Sequence, residues 1–399
     1  MPVVVLGVTG CIGAYKACEV LRELQRASVD VHVVMTAHAT QFVSALTFES
    51  LSQHTVFIDQ FELGENSDIR HISLADAADL LLVAPATANV IGKFAQGLAD
   101  DALSTLFLAT KAPVLVAPAM NVNMFEHQAV TGNLETLRRR GVGVVEPGSG
   151  YLACGWLGRG RLAEVPEIVQ AALDVLARRQ SMSGQRVLVT AGPTVEDIDP
   201  VRFVSNRSSG RMGYRLAEAA RDRGATVTLV SGPTALPAPS GIELVSVRSA
   251  GEMEQAVTSR ASSVHVVAMA AAVSDYKPAR TESVKVKKAD GGLTLEMVRT
   301  PDILRGLGRA KGGLFLVGFA AETDHLREHA RKKLREKNVD LLVANAVGRD
   351  GTGFAADTNA AVLMDADGEV EVPLVSKRAL AERIWDRVAE LRARTPVKA

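Results

Sequence analysis

Short apolar runs alternate with amphipathic stretches from residue 3 onward, and the alternation starts afresh at residue 186. Strands buried on both faces read as near-continuous apolar runs, and parallel strands need a crossover helix between them. The chain is thereby restricted to α/β architecture, with mostly parallel sheets covered by helices on both faces. In the first half, strands are expected at 3–7, 31–35, 79–84, 113–117 and 142–145, and helices near 14–27, 38–50, 88–96, 99–110 and 125–140. The restarted pattern gives strands at 186–190, 226–230, 264–269, 314–318 and 339–343, and helices over 213–223, 250–260, 324–337 and 377–394. Between the two, ARRQSMSG (177–184) loses apolar periodicity and turns polar. Two domains are therefore expected, 1–177 and 185–399, joined by a linker at 178–184.

Charge and cysteine content exclude several classes. Lys+Arg and Asp+Glu both number 45, so no global bias draws the chain to nucleic acid or an anionic membrane. The start, MPVVVLGVTG, lacks a basic residue and its apolar run is broken by glycine, so it reads as a buried strand and not as a signal peptide. No segment approaches the ~18 uninterrupted apolar residues of a membrane span. Three cysteines without metal-like spacing point to reduced thiols in a cytoplasmic protein.

In an open parallel sheet, ligands sit at the carboxyl ends of the strands near the switch point. Four strand-end loops of the first half carry unusual residues: Thr9-Gly10-Cys11-Ile12-Gly13, Thr36-Ala37-His38, Pro85-Ala86-Thr87-Ala88-Asn89 and Pro118-Ala119-Met120-Asn121. The first offers hydroxyl and backbone donors to a phosphate at a helix start. The others are small and polar, suited to a ribityl chain and an aromatic ring. A nicotinamide-dependent dehydrogenase is the rival. However, Gly7, Gly10 and Gly13 are spaced G-x-x-G-x-x-G, and the second strand ends in Met35-Thr36 where an acidic residue would bind the adenosine ribose. His71 alone reads more readily as an ordinary surface or core histidine than as a catalytic one, and Asn121 reads equally as a turn-former beside Pro118. Cys154, in GYLACG, is either an inert loop cysteine or a thiol on a mobile flap.

The second half opens with a strand and the loop TAGPTVEDIDPVRFVSNRSSGRMG (190–213). Ser208, Ser209, Gly210 and Gly213 allow backbone N–H groups to close on a phosphate at a helix start, with Arg202, Arg207 and Arg211 as charge-assisted donors. Downstream, VKVKK (284–288) alternates like an exposed edge strand guarded by lysine. Lys333 and Lys337 share a helix face, which taken alone reads more readily as solvated surface than as a polyphosphate contact.

Taken together, GVTGCIGAYK (7–16), His71, PATANVIGKFAQGLADD (85–101), PAMNVNMF (118–125) and GYLACG (150–155) closely resemble the flavin-dependent phosphopantothenoylcysteine decarboxylases. TAGPT (190–194), DPVRFVSNRSSGRMG (199–213), AMAAAVSDYKP (268–278), VKVKK and GFAAET (318–323) resemble the phosphopantothenate–cysteine ligases. The resemblance spans nearly the whole chain in the order of the bifunctional enzymes of coenzyme A biosynthesis. It implies a flavodoxin-like doubly wound parallel sheet followed by a second, Rossmann-like α/β domain. The implied reactions are ligation of 4′-phosphopantothenate to cysteine through an acyl-cytidylate, then oxidative decarboxylation to 4′-phosphopantetheine. The implied cofactors are FMN and Mg²⁺, with CTP as co-substrate and no readable metal ligands. The partners are small molecules, with no nucleic acid or membrane, in a homo-oligomer with trimeric decarboxylase and dimeric ligase contacts.

The resemblance also assigns residues. For the decarboxylase it implies His71 as active-site base, Asn121 on the substrate carboxylate and Cys154 as the acid that completes the product. Thr9, Gly10, Ile12, Thr36, Pro85, Thr87, Asn89 and Met120 fall to FMN. For the ligase it implies Asn206 on the acyl-cytidylate, with Arg202, Ser208, Ser209 and Gly210 in the same loop. Asp275 and Lys285 contact the nucleotide, and Lys285 also converts the intermediate. Ala272, Pro301, Asp302, Ile303, Leu304, Phe319, Lys333 and Lys337 are further nucleotide or substrate positions. The chain departs from the pattern at Cys11, Gly13, Phe125 and Arg211, where a small residue, alanine, tryptophan and lysine are usual. A nicotinamide oxidoreductase and a non-catalytic flavin- or nucleotide-binding regulator are the competing readings.

Overall fold

The computed structural model describes residues 1–61, 69–151, 155–287, 293–322, 326–346 and 356–394. These form two compact units, Met1–Arg179 and Gln180–Ala399.

The first unit runs β1 (Val3–Val8), a 3-10 turn (Ile12–Tyr15), α1 (Lys16–Arg26), β2 (Asp30–Met35), α2 (Ala45–Ser52) and α3 (Arg70–Ala77). It continues with β3 (Leu80–Ala86), α4 (Ala88–Gln96), α5 (Ala102–Ala109), β4 (Val114–Pro118), α6 (Val122–Glu126) and α7 (Gln128–Arg139). It closes with β5 (Gly143–Val144), the hairpin β6 (Gly148–Tyr151) and β7 (Leu157–Arg161), and α8 (Val165–Gln180). The sheet is all parallel in the order β2-β1-β3-β4-β5, the flavodoxin-like doubly wound order. Alternation along β1 sends Val4, Leu6 and Val8 to the layer of α1 and α8, and Val5 to the layer of α4, α5 and α7. On α1, Ala17, Val20, Leu21 and Leu24 recur at helical spacing and are all buried.

Two of the expected helices divide. The stretch 38–50 becomes the turn Ala39–Gln41 followed by α2. The stretch 125–140 breaks at His127, whose extended backbone lets its Nδ1 accept from the Ala129 N–H at 3.2 Å and cap α7. The polar stretch 178–184 is partly helical, since α8 runs on through Arg178 and Arg179 to Gln180. Met182 is buried in the core of the second unit.

The second unit begins with β8 (Arg186–Ala191), the hairpin β9 (Val195–Asp197) and β10 (Phe203–Ser205), α9 (Arg211–Asp222), β11 (Thr226–Ser231), β12 (Glu243–Ser246) and α10 (Ala250–Ala261). Then follow β13 (Val266–Met269), the pair β14 (Tyr276–Pro278) and β15 (Met297–Arg299), α11 (Ile303–Arg309), β16 (Phe315–Glu322) and α12 (Leu326–Glu336). The last elements are β17 (Leu341–Ala346), β18 (Thr358–Met364), β19 (Glu369–Ser376) and α13 (Lys377–Arg394). The main sheet has the order β12-β11-β8-β13-β16-β17-β18-β19. Its first six strands are parallel in Rossmann-like order, and β18 and β19 add an antiparallel edge. Val187, Val189 and Ala191 face α9 and α13, whereas Leu188 faces α10, α11 and α12. Trp385 of α13 is fully buried and donates its Nε1–H to the Leu216 carbonyl at 2.9 Å.

Candidate functional site

In the first unit the strand order reverses between β1 and β3, so the loops that follow them part around a crevice. Thr9 ties the two loops together. Its Oγ1 donates to the Pro85 carbonyl at 2.7 Å and accepts from the Thr87 N–H at 3.1 Å, in a side chain that is 1% exposed. Thr87 in turn caps α4 by accepting from the Val90 N–H. Around this crosslink opens a cavity of about 870 Å³, within the ~300–1,000 Å³ range of cofactor and ligand sites. Thr9, Gly10, Ile12, Thr36, Thr87, Asn89, Met120 and Asn121 all line it, so the four strand-end loops converge on one space. Pro85 contributes through its carbonyl on Thr9 and is not itself a wall. Gly10 is required by close approach: a Cβ there would lie 2.4 Å from the His38 Cβ.

Charge at the cavity comes from residues outside the expected set. Lys93 and Asp101 line it, and Lys93 Nζ lies 2.7 Å from both Asp100 and Asp101. Burial works against the Lys93 ammonium, yet the two carboxylates hold its pKa above the ordinary lysine value. Burial likewise opposes the Asp101 carboxylate, but Lys93 and the Ser104 N–H and hydroxyl hold its pKa below the usual range. Lys16 and Arg161, also in the wall, share Glu164 at 3.0 and 2.9 Å. Cys11 lines the cavity, and burial raises its thiol pKa against a smaller opposing effect from the Gly13 backbone. Lys93 and Asp101 are eight residues apart across Gly97, which ends α4, so helix periodicity does not connect them in the sequence.

One expected residue is placed elsewhere, and another lies outside what the structure describes. His71 stands half-buried in the first turn of α3 and is not among the residues that line the cavity. Cys154 lies outside the described residues. Asn121 reaches the cavity as the cap of α6, with its Oδ1 accepting from the Asn123 N–H at 2.9 Å. Among the described residues, one trio could ligate a metal: Asp30, His32 and His54. Their imidazoles stack at 3.9 Å and 16°, so the in-plane lone pairs run side by side toward Asp30 instead of meeting at a point.

In the second unit the order reverses between β8 and β13, and the loops after these strands interlock. The Thr194 N–H donates to the Ala272 carbonyl at 3.2 Å, the Ala272 N–H to the Gly192 carbonyl at 2.9 Å, and the Ser274 N–H to Thr194 Oγ1 at 2.9 Å. Asn206 joins this frame by donating Nδ2 to the Val273 carbonyl at 3.0 Å. Ser208 Oγ accepts from the Gly210 N–H at 3.3 Å, and Gly210 caps α9 at φ +74, a conformation that favours glycine. Asp275 is exposed, and its carbonyl accepts from the Thr300 N–H at 3.0 Å, which brings Pro301–Leu304 beside the 272–275 loop. Asp302 caps α11 and pairs with Lys337, while Lys333 Nζ donates to the Phe319 carbonyl at 3.1 Å. Lys337, just past α12, thus reaches the start of α11, and Lys333 in the last turn of α12 reaches the middle of β16.

Arg202 is differently engaged. Its Nε and Nη2 donate to Asp199 at 3.0 and 2.7 Å, and Nη2 also donates to the Val286 carbonyl at 2.5 Å. Arg211 pairs with Asp357 at 2.7 Å. Lys285 is exposed beside Val286. Asp199 escaped the sequence reading because an Asp-Pro pair looks like an ordinary turn.

Known proteins match this arrangement in both halves. Residues 182–391 match the family described as DNA/pantothenate metabolism flavoprotein C-terminal domain, and residues 2–177 match the family described as Flavoprotein. The chain is 49% identical to the coenzyme A biosynthesis bifunctional protein CoaBC of Bacillus subtilis (strain 168) over 396 residues, 98% of each chain. It is 45% identical to the protein of that name from Mycobacterium tuberculosis (strain H37Rv), over 402 residues and 96% of each chain. The solved C-terminal domain of a coenzyme A biosynthesis bifunctional protein is 42% identical, covering 54% of this chain and all of its own, with a TM-score of 0.47.

Proposed function

The chain belongs to the bifunctional coenzyme A biosynthesis proteins, and from that premise we propose how each half performs its reaction. The protein is an enzyme with phosphopantothenate–cysteine ligase and phosphopantothenoylcysteine decarboxylase activities. Residues 1–177 are the decarboxylase and 185–399 the ligase, acting in the cytoplasm on small molecules. What carries this reading is that the likeness runs through both halves in one chain.

In the ligase half, CTP and 4′-phosphopantothenate meet at the β8–β13 switch point. A carboxylate is a poor acylating agent, and transfer to the nucleotide α-phosphate with loss of pyrophosphate gives it a leaving group. Asn206, held by the Val273 carbonyl, binds the acyl-cytidylate, and the Ser208–Gly210 turn closes on a phosphate at the start of α9. Ala272, Asp275, Pro301–Leu304, Phe319, Lys333 and Lys337 receive the nucleotide, and Lys285 assists the attack of cysteine. A triphosphate would bring Mg²⁺ with it, an ion that usually keeps several waters and needs few protein ligands. Among the described residues no cluster of three or more metal-ligating side chains gathers at this crevice.

In the decarboxylase half, the cavity fits FMN. It is roomy, its largely apolar wall carries the hydroxyl or amide groups of Thr36, Thr87, Asn89 and Asn121, and it opens on the 3-10 turn Ile12–Tyr15 at the start of α1. When bound, the flavin supplies two-electron oxidation of the cysteine moiety and its later reversal. Thr9, Gly10 and Ile12 hold the phosphate end, with Thr36, Thr87, Asn89 and Met120 along the rest. The capping bond to Oδ1 orients Asn121 with its amide nitrogen as donor to the substrate carboxylate. Cys154 returns the proton that completes the product. His71 is the base, and its place outside the cavity of its own chain supports a homo-oligomer in which a neighbouring copy supplies it. The assembly has trimeric decarboxylase and dimeric ligase contacts.

Incubation with phosphopantothenate, cysteine and either CTP or ATP, following pyrophosphate and carbon dioxide, tests both halves. CTP-dependent pyrophosphate release and subsequent carbon dioxide from a protein with a flavin spectrum are expected. Release of neither product refutes the reading.

A further inference from the structure

The segment 281–287 is fastened to the β9–β10 hairpin along one line. Thr281 Oγ1 donates to the Asp197 carbonyl at 3.0 Å, and the Glu282 N–H donates to the Ile198 carbonyl at 2.9 Å. Val286 is held at both backbone groups: its N–H donates to Asp199 Oδ2 at 3.1 Å, and its carbonyl accepts from Arg202 Nη2 at 2.5 Å. Val284, Lys285 and Lys287 are exposed, whereas Val286 is half-buried. A residue held at both its N–H and its C=O is fixed in position and in rotation, as a hydrogen-bonded residue of a β-ladder is. The flanking lysines are therefore aimed by contacts that neither of them makes.

Asp199 organises the grip. It is 1% exposed, and its carboxylate accepts five hydrogen bonds. The Val201 and Arg202 N–H groups reach Oδ1 at 2.8 Å each, while the Val286 N–H, Arg202 Nε and Arg202 Nη2 reach Oδ2. Burial opposes this charge, and the backbone donors and Arg202 more than offset it, holding the carboxyl far below the usual range. The same loop continues to Ser205, whose hydroxyl donates to the Thr194 carbonyl at 2.8 Å, and to Asn206 on Val273. One loop thus anchors Asn206 at one end and the Lys285 segment at the other.

We infer that Asp199 is a positioning residue of the ligase site: with Arg202 it clasps Val286, sets the place of Lys285 relative to Asn206, and gives Arg202 its part in the reaction. This rests on the ligase reading above. Lys285 is the group that converts the intermediate, so loosening the clasp should spare activation of the carboxylate and slow amide formation. A displaced catalytic group costs roughly tenfold to a hundredfold in rate.

The test is Asp199→Asn in the full-length protein. Hydrogen exchange in the peptide containing 281–287 should quicken. The first-turnover release of pyrophosphate from CTP and phosphopantothenate should stay close to wild type, while cysteine-dependent amide formation falls roughly tenfold to a hundredfold. The double variant D199N/K285Q should be no slower than K285Q alone, because both changes remove one function. Normal amide formation in D199N overturns the inference, as does a double variant whose losses multiply. If D199N does not fold, Arg202→Lys keeps the charge and loses the fork; it should show the same split, and unimpaired amide formation in it overturns the clasp. A wild-type protein that releases no pyrophosphate from CTP refutes the ligase reading itself, whereas a working wild type with a normal D199N refutes the clasp alone.

Discussion

The Thr9 hydroxyl serves both sides of the first sheet's switch point, donating to Pro85 and accepting from Thr87 while wholly buried. Valine has nearly the same shape but can do neither. Thr9→Val leaves the Pro85 carbonyl and Thr87 N–H without their partner, which costs about 1–3 kcal/mol. Chemical denaturation should register that loss, and flavin content after purification should fall with it, because the crosslink shapes the cavity wall. A variant with full stability and full flavin would show that the hydroxyl is dispensable. Cys11 makes the opposite case. Burial lifts its thiol pKa, so it is neutral at pH 7 and a poor nucleophile. Cys11→Ser should retain the flavin spectrum, and alkylation of Cys11 should be slow at pH 7 and quicken as pH rises. Rapid alkylation at neutral pH would contradict that protonation state. The strand-end residues of the cavity wall were legible because the loops of a parallel sheet must meet at the switch point, whereas its charged groups, Lys93 and Asp101, were not. His71 was legible only as a type, since nothing in one chain's sequence says which surface a helix N-terminus will face.

At the scale of elements, α5 begins where a charge pair and a cap coincide. Asp101 Oδ1 accepts from the Ser104 N–H at 2.8 Å, Ser104 Oγ accepts from the Asp101 N–H at 3.1 Å, and Asp101 Oδ2 holds Lys93 at 2.7 Å. This box moved the helix start from the expected 99 to Ala102. The folded-state pKa of Asp101 is depressed, so its charge contributes stability above about pH 4 and loses it as pH falls through the folded value. Asp101→Asn keeps a capping oxygen and removes the charge. The variant should be less stable than wild type by about 1 kcal/mol at pH 7, and the gap should close as pH falls below about 4. Urea unfolding across that range measures it, and a gap that stays constant with pH would remove the charge from the account. The long strands were readable because burial on both faces leaves an uninterrupted apolar run. Short elements such as β9, β10, β12, β14 and β15 have three or four residues each, and their pairing is set by distant partners. The helix α8 buries Val165, Ile168, Val169, Ala172 and Leu176, a periodic signal that was present but unassigned.

Two units with separate cores allow the molecule to be cut, and the place of the cut matters. Loss of periodicity put the linker at 178–184, but side-chain burial divides that stretch more finely. Arg179 of α8 donates to the Asp79 carbonyl at 2.9 Å and belongs with the first sheet. Three residues on, Met182 is 3% exposed in the second core, and its N–H donates to the Arg223 carbonyl at 3.0 Å. Periodicity cannot reveal this, because a single apolar residue among polar ones carries no period. A fragment of residues 180–399 keeps Met182; one of residues 185–399 leaves its site empty. Losing a buried methionine side chain costs about 2–5 kcal/mol, with the cavity included. Both fragments lack the flavin cavity, so both should catalyse CTP-dependent ligation without carbon dioxide release. The longer one should melt at a temperature higher by several degrees, since ~1 kcal/mol moves the midpoint of a domain of this size by about 2–4 °C. Met182→Ala in the longer fragment should bring its melting temperature down toward that of the shorter one. Equal melting temperatures for all three would mean that Met182 does not stabilise the second unit. Ligation that needs residues 1–177, despite a folded fragment, would mean that the two reactions share more than a chain.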